Sequence, residues 1–289
     1  MDRKRNILTL DGDAFLRMPV TDTSVALEVY GITAANAAAV KAKLIKLYGD
    51  VHVLADGKAT PLSAVGDAAA VELPAQADFA KKRYTAADVV RVIERLARDG
   101  DGCPWDRSQT HDSIRINMIE EAYEAVDAID KRDLDNMCEE FGDVFLQSVL
   151  QSDIARRSGE FDFDDVCDGL CKKLIGRHTF IFGSETANNA DEALVGWEKA
   201  KAAEKHYDGV ADQLRKLPDN FPSLLLCEKT HKKLKKAGVP QCPDAELADA
   251  LAACDYARVI AAATALLADG GKNAEVELNK LVKEKINKL

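Results

Sequence analysis

The chain has 289 residues, with 49 acidic against 39 basic side chains and a formal net charge of -10. This length allows two or so domains with hydrophobic cores, and the negative charge disfavours general binding to nucleic acid. The seven cysteines, an odd number without a short disulfide framework, are typical of a reducing cytoplasm. Because the sequence shows no signal peptide and no apolar run long enough to span a bilayer, we expect a cytoplasmic protein without membrane contact.

Residues 1–83 have the pattern of a small α/β region. The predicted elements are strands at residues 24–30 (SVALEVY), 51–54 (VHVL) and 68–73, and an amphipathic helix at residues 34–48. The Asp56-Gly57 pair predicts a turn. The region has no glycine-rich phosphate loop and no acid-base cluster, so we expect no catalytic residue in it.

The central region, residues 84–207, opens with a clear helix start. Thr85 is a predicted N-cap, with Asp88 at the third helical position. The helix is predicted to end at residues 100–102 (GDG) and to be followed by the loop CPWDRSQTH. Trp105 in this loop has two readings, a side chain that plugs the helical bundle or part of a loop that closes a binding site, and we favour the plug because an indole buries well.

Residues 117–151 contain two predicted helices with acidic residues on partly apolar faces. In the first helix, Met118, Ala125 and Ile129 share one face at about 100° per residue, and we expect this face to be buried. Glu121 lies at its rim. The same flank also carries Glu120 and Glu124.

The second helix is apolar around most of its circumference, which predicts burial. Its apolar residues are Leu134, Met137, Cys138, Phe141, Val144, Phe145, Leu146, Val149 and Leu150, and its polar seam is Glu140, Asp143, Gln147 and Gln151. The connection at residues 131–133 (KRD) is short, so the helices are predicted to be antiparallel neighbours. Their acidic seams then face each other.

Four or five carboxylates in one partly buried site raise one another's pKa, so such a site needs a counter-charge. A divalent cation supplies it, and all-oxygen ligands favour a hard ion such as Mg²⁺. The alternative is that E-E-x-x-E is a solvated acidic face, as charge runs usually are. We favour the cation site because the E-x-x-D lies on a nearly all-apolar helix.

The spacing of these acidic motifs resembles the signature of the MazG-type nucleoside triphosphate pyrophosphohydrolases, which are all-α enzymes related to dimeric dUTPases. The residues that carry the resemblance are Glu120-Glu121-x-x-Glu124, Glu140-x-x-Asp143, Cys103-Pro104-Trp105-Asp106, Gln109-Thr110-His111, Lys173, Arg177-His178, Phe182-Gly183 and Trp197-Glu198-x-x-Lys201. The resemblance covers about residues 88–205. It implies hydrolysis of a nucleoside triphosphate to the monophosphate and pyrophosphate, in the service of nucleotide-pool house-cleaning, and a homodimer.

The resemblance also implies roles for individual residues. Glu121, Glu124, Glu140 and Asp143 are the expected Mg²⁺ ligands, with Mn²⁺ as a substitute, and Glu120 is the candidate to orient or deprotonate the attacking water. A helix is predicted to start at Phe163 and to place Lys173 and Arg177 one turn apart, where both can bind the triphosphate. Trp197 is a candidate nucleotide contact, with a packing role as the alternative.

The sequence departs from the family pattern after the Arg-His pair. A Pro-His-Val-Phe-type run is replaced by Thr179-Phe180-Ile181-Phe182, and the usual Arg-Arg by Gly176-Arg177. The second histidine and the first arginine of the family pattern are thus absent from this sequence, so the resemblance implies no role for them here, and the metal motif is intact.

The flanking regions resemble parts of larger fused proteins. Residues 1–83 are similar to the end of a tetrapyrrole methylase module, with an unrelated small α/β cap as the alternative. Residues 208–289 resemble a linker and a shortened, degenerate second MazG-like copy, in which Asp255 is the candidate counterpart of the E-x-x-D aspartate. The E-E-x-x-E spacing is lost there, so we expect this copy to be catalytically silent.

We therefore expect a mainly α protein with a helical pyrophosphohydrolase core and a small α/β N-terminal region. A catalytically weak nucleotide-binding or regulatory scaffold is the alternative. A third reading, RNA binding through the lysines of residues 229–236, is disfavoured by the overall acidity and the lack of interleaved aromatic residues.

Overall fold

The structure, a computed structural model, describes residues 7–18, 23–77 and 79–288. Its internal contacts divide the chain into one unit of residues 1–171 and a second unit of residues 172–289. No helix in the described ranges is long and apolar enough to cross a membrane. The division into three parts that the sequence suggests stays a prediction.

The N-terminal part of the first unit is a five-stranded sheet with two helices. The strands are β1 (Ile7–Asp11), β2 (Ala26–Tyr30), β3 (His52–Ala55), β4 (Lys58–Pro61) and β5 (Val71–Leu73), and the helices are α1 (Gly12–Arg17) and α2 (Ala37–Tyr48). The strand order is β1-β2-β5-β3-β4. The core includes Phe15, Leu27, Val29, Val40 and Leu44, with the apolar face of α2 packed on the sheet.

The predicted β-α-β pattern is present in a modified form. Both β2 and β3 pair antiparallel with β5, so β2 and β3 run parallel to each other with β5 between them. The predicted turn joins β3 to β4, and both of its residues have positive φ, 45° at Asp56 and 77° at Gly57, as a two-residue hairpin requires. The prediction missed β1, α1 and β4.

The rest of the first unit is helical. Its helices are α3 (Ala86–Leu96), α4 (Pro104–Ser108), α5 (His111–Ile114), α6 (Asn117–Lys131) and α7 (Leu134–Ser158), and α8 (Phe163–Arg177) crosses the boundary between the units. The predicted start of α3 is confirmed: the backbone N–H of Thr85 donates to the Asp88 carboxylate at 2.8 Å. The mainly α fold with a small α/β N-terminal region is confirmed.

The burial predicted for the α6–α7 pair is wrong for most of the large apolar side chains of the pair. Ala125 and Ala128 are buried, but Ile129 is 46% exposed and Phe141 is 49% exposed. Further exposed apolar side chains are Met118, Ile119, Val126, Leu134 and Val144. An apolar helix face is stable only when another surface covers it, and the described residues of this chain do not cover these side chains.

The second unit continues with α9 (Thr179–Phe182), α10 (Ala190–Lys205), α11 (Val210–Arg215), α12 (Ser223–Lys236), α13 (Pro243–Ala252), α14 (Tyr256–Asp269) and α15 (Ala274–Ile286). The α12 helix contacts both α14 and α15. A polar group lies within this packing: His231 is 5% exposed, and its Nε2 is 2.9 Å from Asp269 Oδ1.

Three lysines of the α12 run form ion pairs within the second unit. Lys232 pairs with Glu228 at 2.5 Å, Lys235 pairs with Asp269 at 2.6 Å, and Lys236 pairs with Glu198 at 2.8 Å. These carboxylates neutralise much of the positive charge of the run. The observation argues against a phosphate-binding surface on α12 and therefore against the RNA reading.

The α13–α14 connection repeats the α6–α7 connection. Each has one residue in the left-handed conformation, Arg132 with φ 56° and Cys254 with φ 55°, followed by an aspartate that caps the next helix. Asp255 thus occupies the place of Asp133, the cap, and the expectation that it replaces the E-x-x-D aspartate is wrong. The repeated geometry supports a degenerate second copy, which stays a prediction.

Candidate functional site

The hairpin of α6 and α7 positions the acidic residues. Arg132 ends α6 in the left-handed conformation, and the Asp133 carboxylate accepts a hydrogen bond from the backbone N–H of Asn136 at 3.1 Å, which starts α7. This cap satisfies one of the free N–H groups at the helix start. Because the connection is so short, the helices lie side by side and the predicted antiparallel pair is confirmed.

Three carboxylates converge between the two helices. Carboxylate oxygens of Glu121, Glu140 and Asp143 all lie within 4.8 Å of one another, and all three residues are half-buried. Removal from solvent raises the pKa of Glu121, and the charges of Asp143 and Glu124 raise it further. Removal from solvent also raises the pKa of Glu140, with Glu124 and Asp143 contributing. Three half-buried carboxylates thus concentrate negative charge at this place.

The other two acidic residues of the predicted site lie beside this cluster. Glu124 is exposed and outside the group within 4.8 Å, but its charge raises the pKa of both Glu121 and Glu140. Glu120 is exposed as well, and its charge makes a smaller contribution to the raised pKa of Glu121. The structure brings three of the four predicted ligands together, and the roles of all five acids stay predictions.

The donor set fits a divalent cation. It consists of carboxylate oxygens from two helices, the ligand type of hard ions such as Mg²⁺, Mn²⁺ and Ca²⁺. A cation here would offset the mutual repulsion that raises the pKa of Glu121 and Glu140. The acidic cluster is therefore compatible with divalent metal use.

The polar seam of α7 continues beyond the acids and fixes the preceding loop. Gln151, two turns after Asp143, donates from Nε2 to the backbone carbonyl of His111 at 3.4 Å, and its Oε1 contacts His111 Nδ1. These contacts join α5 to α7. The sequence analysis placed Gln151 on the seam but did not predict this contact, because the period of a helix does not identify hydrogen-bond partners.

The favoured reading of Trp105 as a plug is wrong for this chain. Its side chain is 57% exposed, and its backbone carbonyl accepts from Gln109 Nε2 at 2.8 Å. The backbone carbonyl of Arg107 accepts from Arg157 of α7 at 3.1 Å. The loop is therefore held to α7 through backbone groups and presents the indole outward, which leaves the reading of a site-closing loop.

In the second unit, Arg177 is held by Glu204. Its side chain is 9% exposed, and Nε and Nη2 donate to the two Glu204 oxygens at 2.8 Å and 3.0 Å. The hydrogen bond from Arg177 lowers the pKa of Glu204, with a smaller contribution from the charge of Lys173. Glu204, 27 residues away, was not predicted as a partner.

Trp197 lies against the same arginine. The Arg177 guanidinium carbon is 5.2 Å from the centre of the indole, within cation–π range, and the His178 ring is 4.8 Å from it. His178 also contacts Phe180 at 5.5 Å. Arg177, Trp197 and His178 form one connected group, whose roles in substrate binding stay predictions.

The fold and the acidic cluster define a helical protein with a carboxylate site suited to a divalent cation. Residues 109–182 match the family of the MazG nucleotide pyrophosphohydrolase domain. The match includes both acidic motifs, Lys173 and Arg177, but ends before Trp197. It confirms the resemblance to the MazG-type family, on a shorter range than residues 88–205.

Curated proteins with similar sequences give the same result. The chain is 44% identical over 118 residues to the nucleoside triphosphate pyrophosphohydrolase/pyrophosphatase MazG of Thermotoga maritima, which covers 41% of this chain and 44% of that protein. It is 34% identical over 150 residues to the nucleoside triphosphate pyrophosphohydrolase of Escherichia coli K12, covering 52% of this chain and 57% of that protein. It is 39% identical over 152 residues to the uncharacterized protein YabN of Bacillus subtilis, covering 53% of this chain and 31% of that protein.

The chain thus spans about half or less of the length of each of these three relatives. The similarity is concentrated in about half of this chain. The named activity of the relatives is therefore support for a proposal about this chain.

Proposed function

We propose that the chain is a Mg²⁺-dependent nucleoside triphosphate pyrophosphohydrolase that converts NTP and water to NMP and pyrophosphate. The observation that carries the proposal is the convergence of Glu121, Glu140 and Asp143 inside the segment that matches the MazG domain. The activity would serve house-cleaning of the nucleotide pool in the cytoplasm. Seven free thiols agree with such a reducing compartment.

Four carboxylates would hold the cation in this reaction. Glu121, Glu140 and Asp143 supply the group within 4.8 Å, and Glu124 joins them from the same flank of α6. When bound, Mg²⁺, or Mn²⁺ as a substitute, polarises the α-phosphate and lowers the pKa of the attacking water. Glu120 would orient this water or accept its proton, since it is an exposed carboxylate next to Glu121.

The cationic and aromatic residues would bind the substrate. Lys173 and Arg177 would neutralise charge that develops on the pyrophosphate leaving group, and Trp197 would contact the nucleotide. In the structure Glu204 binds the Nε and Nη2 groups of Arg177. A phosphate that binds this same edge of the guanidinium must therefore compete with a carboxylate, which is also a bidentate acceptor.

The experiment that tests this function is pyrophosphate release from a panel of canonical and modified NTPs, in Mg²⁺ and in EDTA. We expect release in Mg²⁺ and a rate at background in EDTA, because the carboxylates alone cannot activate water at neutral pH. Equal amounts of NMP and pyrophosphate identify cleavage between the α- and β-phosphates. If folded protein binds NTP but releases no pyrophosphate from any of them, the nucleotide-binding scaffold replaces the enzyme.

The same proposal includes a homodimer formed through the exposed apolar side chains of α6 and α7. Phe141 is 49% exposed and Val126 is 50% exposed, on the two helices that carry the acidic cluster. A set of large exposed apolar side chains on adjacent helices is typical of an interaction surface. A second copy covers it without requiring any other partner.

Phe141→Asp should convert the homodimer to a monomer in sedimentation velocity at micromolar concentration. An aspartate in an apolar contact costs about 2 kcal/mol or more of association free energy, as expected for a central interface residue. Leu278→Asp on α15, where Leu278 is 51% exposed, is the matched control and should leave the dimer intact. If Leu278→Asp is a monomer and Phe141→Asp is still a dimer, the interface lies on the C-terminal helices instead.

A further inference from the structure

Gln147 joins the two helices of the candidate metal site. It lies one turn after Asp143 on α7 and is 5% exposed. Its Nε2 donates to Glu121 Oε1 at 3.3 Å, across 26 residues of chain. A buried neutral amide thus contacts one of the three converging carboxylates directly.

Among the described residues, the carbonyl oxygen of the same amide lacks a hydrogen-bond donor. Gln147 Oε1 is buried and accepts no hydrogen bond from any residue in the described part of the chain. A buried carbonyl oxygen without a donor destabilises the folded state, whereas an apolar side chain of the same shape avoids this loss. Stability of the chain therefore does not account for glutamine at this position.

The chemistry of the neighbouring carboxylates does account for it. A lysine or arginine here would hold Glu121 but would compete with a cation, and a glutamate would add a further negative charge to the cluster. A glutamine provides an N–H donor without charge. It can fix one oxygen of Glu121 and leave the other oxygen for a ligand, as the outer partners of metal ligands do.

We propose that Gln147 is a positioning residue that orients the Glu121 carboxylate so that it shares one divalent cation with Glu140 and Asp143. The proposal rests on the proposed function, since it takes the acidic cluster to be the cation site.

The test uses Mn²⁺ as the probe in the absence of nucleotide, measured by electron paramagnetic resonance of free Mn²⁺ on the full chain. Gln147→Met, which keeps the shape and removes the donor, should weaken Mn²⁺ binding by about tenfold, the loss typical of an outer partner of a metal ligand. The control is Gln151→Met, one turn further along α7, whose contacts are with His111. It should bind Mn²⁺ like the wild type.

A second readout separates positioning from packing. In EDTA, the thermal midpoint of Gln147→Met should equal or exceed that of the wild type, because the unsatisfied carbonyl oxygen is removed. Weaker Mn²⁺ binding together with a clearly lower midpoint in EDTA would show a packing role and overturn the proposal. If Gln147→Met does not fold, Gln147→Asn, which keeps the amide on a shorter side chain, must show the same loss of affinity.

The remaining outcomes distinguish this inference from the function on which it rests. If the wild type binds Mn²⁺ and Gln147→Met binds it with the same affinity, Gln147 has no positioning role and the cation site is still supported. A wild type that binds no Mn²⁺ removes the cation site and, with it, the role of Gln147.

Discussion

Glu121→Gln is expected to reduce Mg²⁺-dependent pyrophosphate release by more than about 100-fold, because the loss of a direct metal ligand should cost more than the loss of an outer partner, which costs up to about 100-fold. Glu121 is the carboxylate of α6 that meets Glu140 and Asp143 of α7. A glutamine keeps its shape but replaces one acceptor oxygen with an NH₂ group that cannot bind a cation. The loss should appear in kcat at saturating NTP and should not be restored by added Mg²⁺ within the millimolar range.

The same substitution should not destabilise the chain in EDTA at neutral pH. The pKa of Glu121 is raised in the folded state by removal from solvent and by Asp143 and Glu124. A carboxyl with a raised folded pKa binds its proton more tightly in the folded than in the unfolded chain. Its contribution to stability is therefore most favourable at low pH and becomes less favourable as the pH rises through the raised pKa. At neutral pH the ionised Glu121 opposes folding, and Glu121→Gln removes this opposition.

The matched control is Asp130→Asn, which removes one carboxylate from an exposed position of the same helix. It should retain pyrophosphate release and Mg²⁺ dependence. The assay is pyrophosphate release across NTP and Mg²⁺ concentrations, with thermal unfolding in EDTA on the same preparations. Activity of Glu121→Gln within a few-fold of the wild type would exclude Glu121 from the cation site.

The helical hairpin could be predicted from the sequence because its determinants are local. Helical periodicity, the short connection at residues 131–133 and the capping residue Asp133 all lie within the segment they specify. The same reasoning placed Glu121 opposite the seam of Glu140 and Asp143, since antiparallel helices bring one face of each together. Their convergence within 4.8 Å follows from spacing and topology.

The parts that the sequence did not predict depend on contacts between distant segments. The short strands β1 and β4 have little periodicity, and the position of β5 between β2 and β3 follows from strand pairing that no local pattern encodes. The partners Gln147 for Glu121 and Glu204 for Arg177 are likewise distant in sequence. The burial of α6 and α7 was overestimated because an apolar face does not reveal which surface covers it.

The α13–α14 hairpin repeats the connection of the α6–α7 hairpin but differs from it at the positions of the acidic residues. Counted from the capping aspartates, Glu140 and Asp143 of α7 correspond to Ala262 and Ala265 of α14. Both alanines are buried, at 3% and 9% exposure, and α12 packs on this helix. Small apolar side chains thus stand where the first hairpin has carboxylates, so α14 can accept a neighbouring helix. This supports the expectation of a catalytically silent copy.

Asp88→Asn is expected to lower the free energy of unfolding by about 3 kcal/mol, the cost of breaking a buried ion pair from one side. The Asp88 side chain is 3% exposed and that of Lys81 is 1% exposed, with 2.6 Å between Oδ1 and Nζ. Oδ1 also accepts from Arg91 at 3.0 Å, and Oδ2 accepts from the N–H and hydroxyl of Thr85 at 2.8 Å and 2.9 Å. Each oxygen faces two donors, so an asparagine NH₂ group faces donors in either orientation.

The stabilisation by Asp88 should depend on pH, because the pKa of its carboxyl is lowered in the folded chain. Burial alone would raise the pKa of Asp88, but the hydrogen bonds from Lys81 and Thr85 outweigh it and lower the pKa. A depressed folded pKa means that the stabilisation is fully present above the ordinary aspartate value of about 4 and is lost as the pH falls through the folded value. The difference between wild type and Asp88→Asn should therefore be largest at neutral pH and should shrink in acid.

The matched control is Asp101→Asn. Asp101 also pairs with two arginines, Arg95 at 3.2 Å and Arg98 at 2.5 Å, but its side chain is 55% exposed. Water screens these ion pairs, so their loss should lower the free energy of unfolding much less than the loss of the Asp88 network does. Urea unfolding of the three proteins between neutral and acidic pH measures both effects. Equal losses for Asp88→Asn and Asp101→Asn would show that burial does not strengthen the Asp88 network.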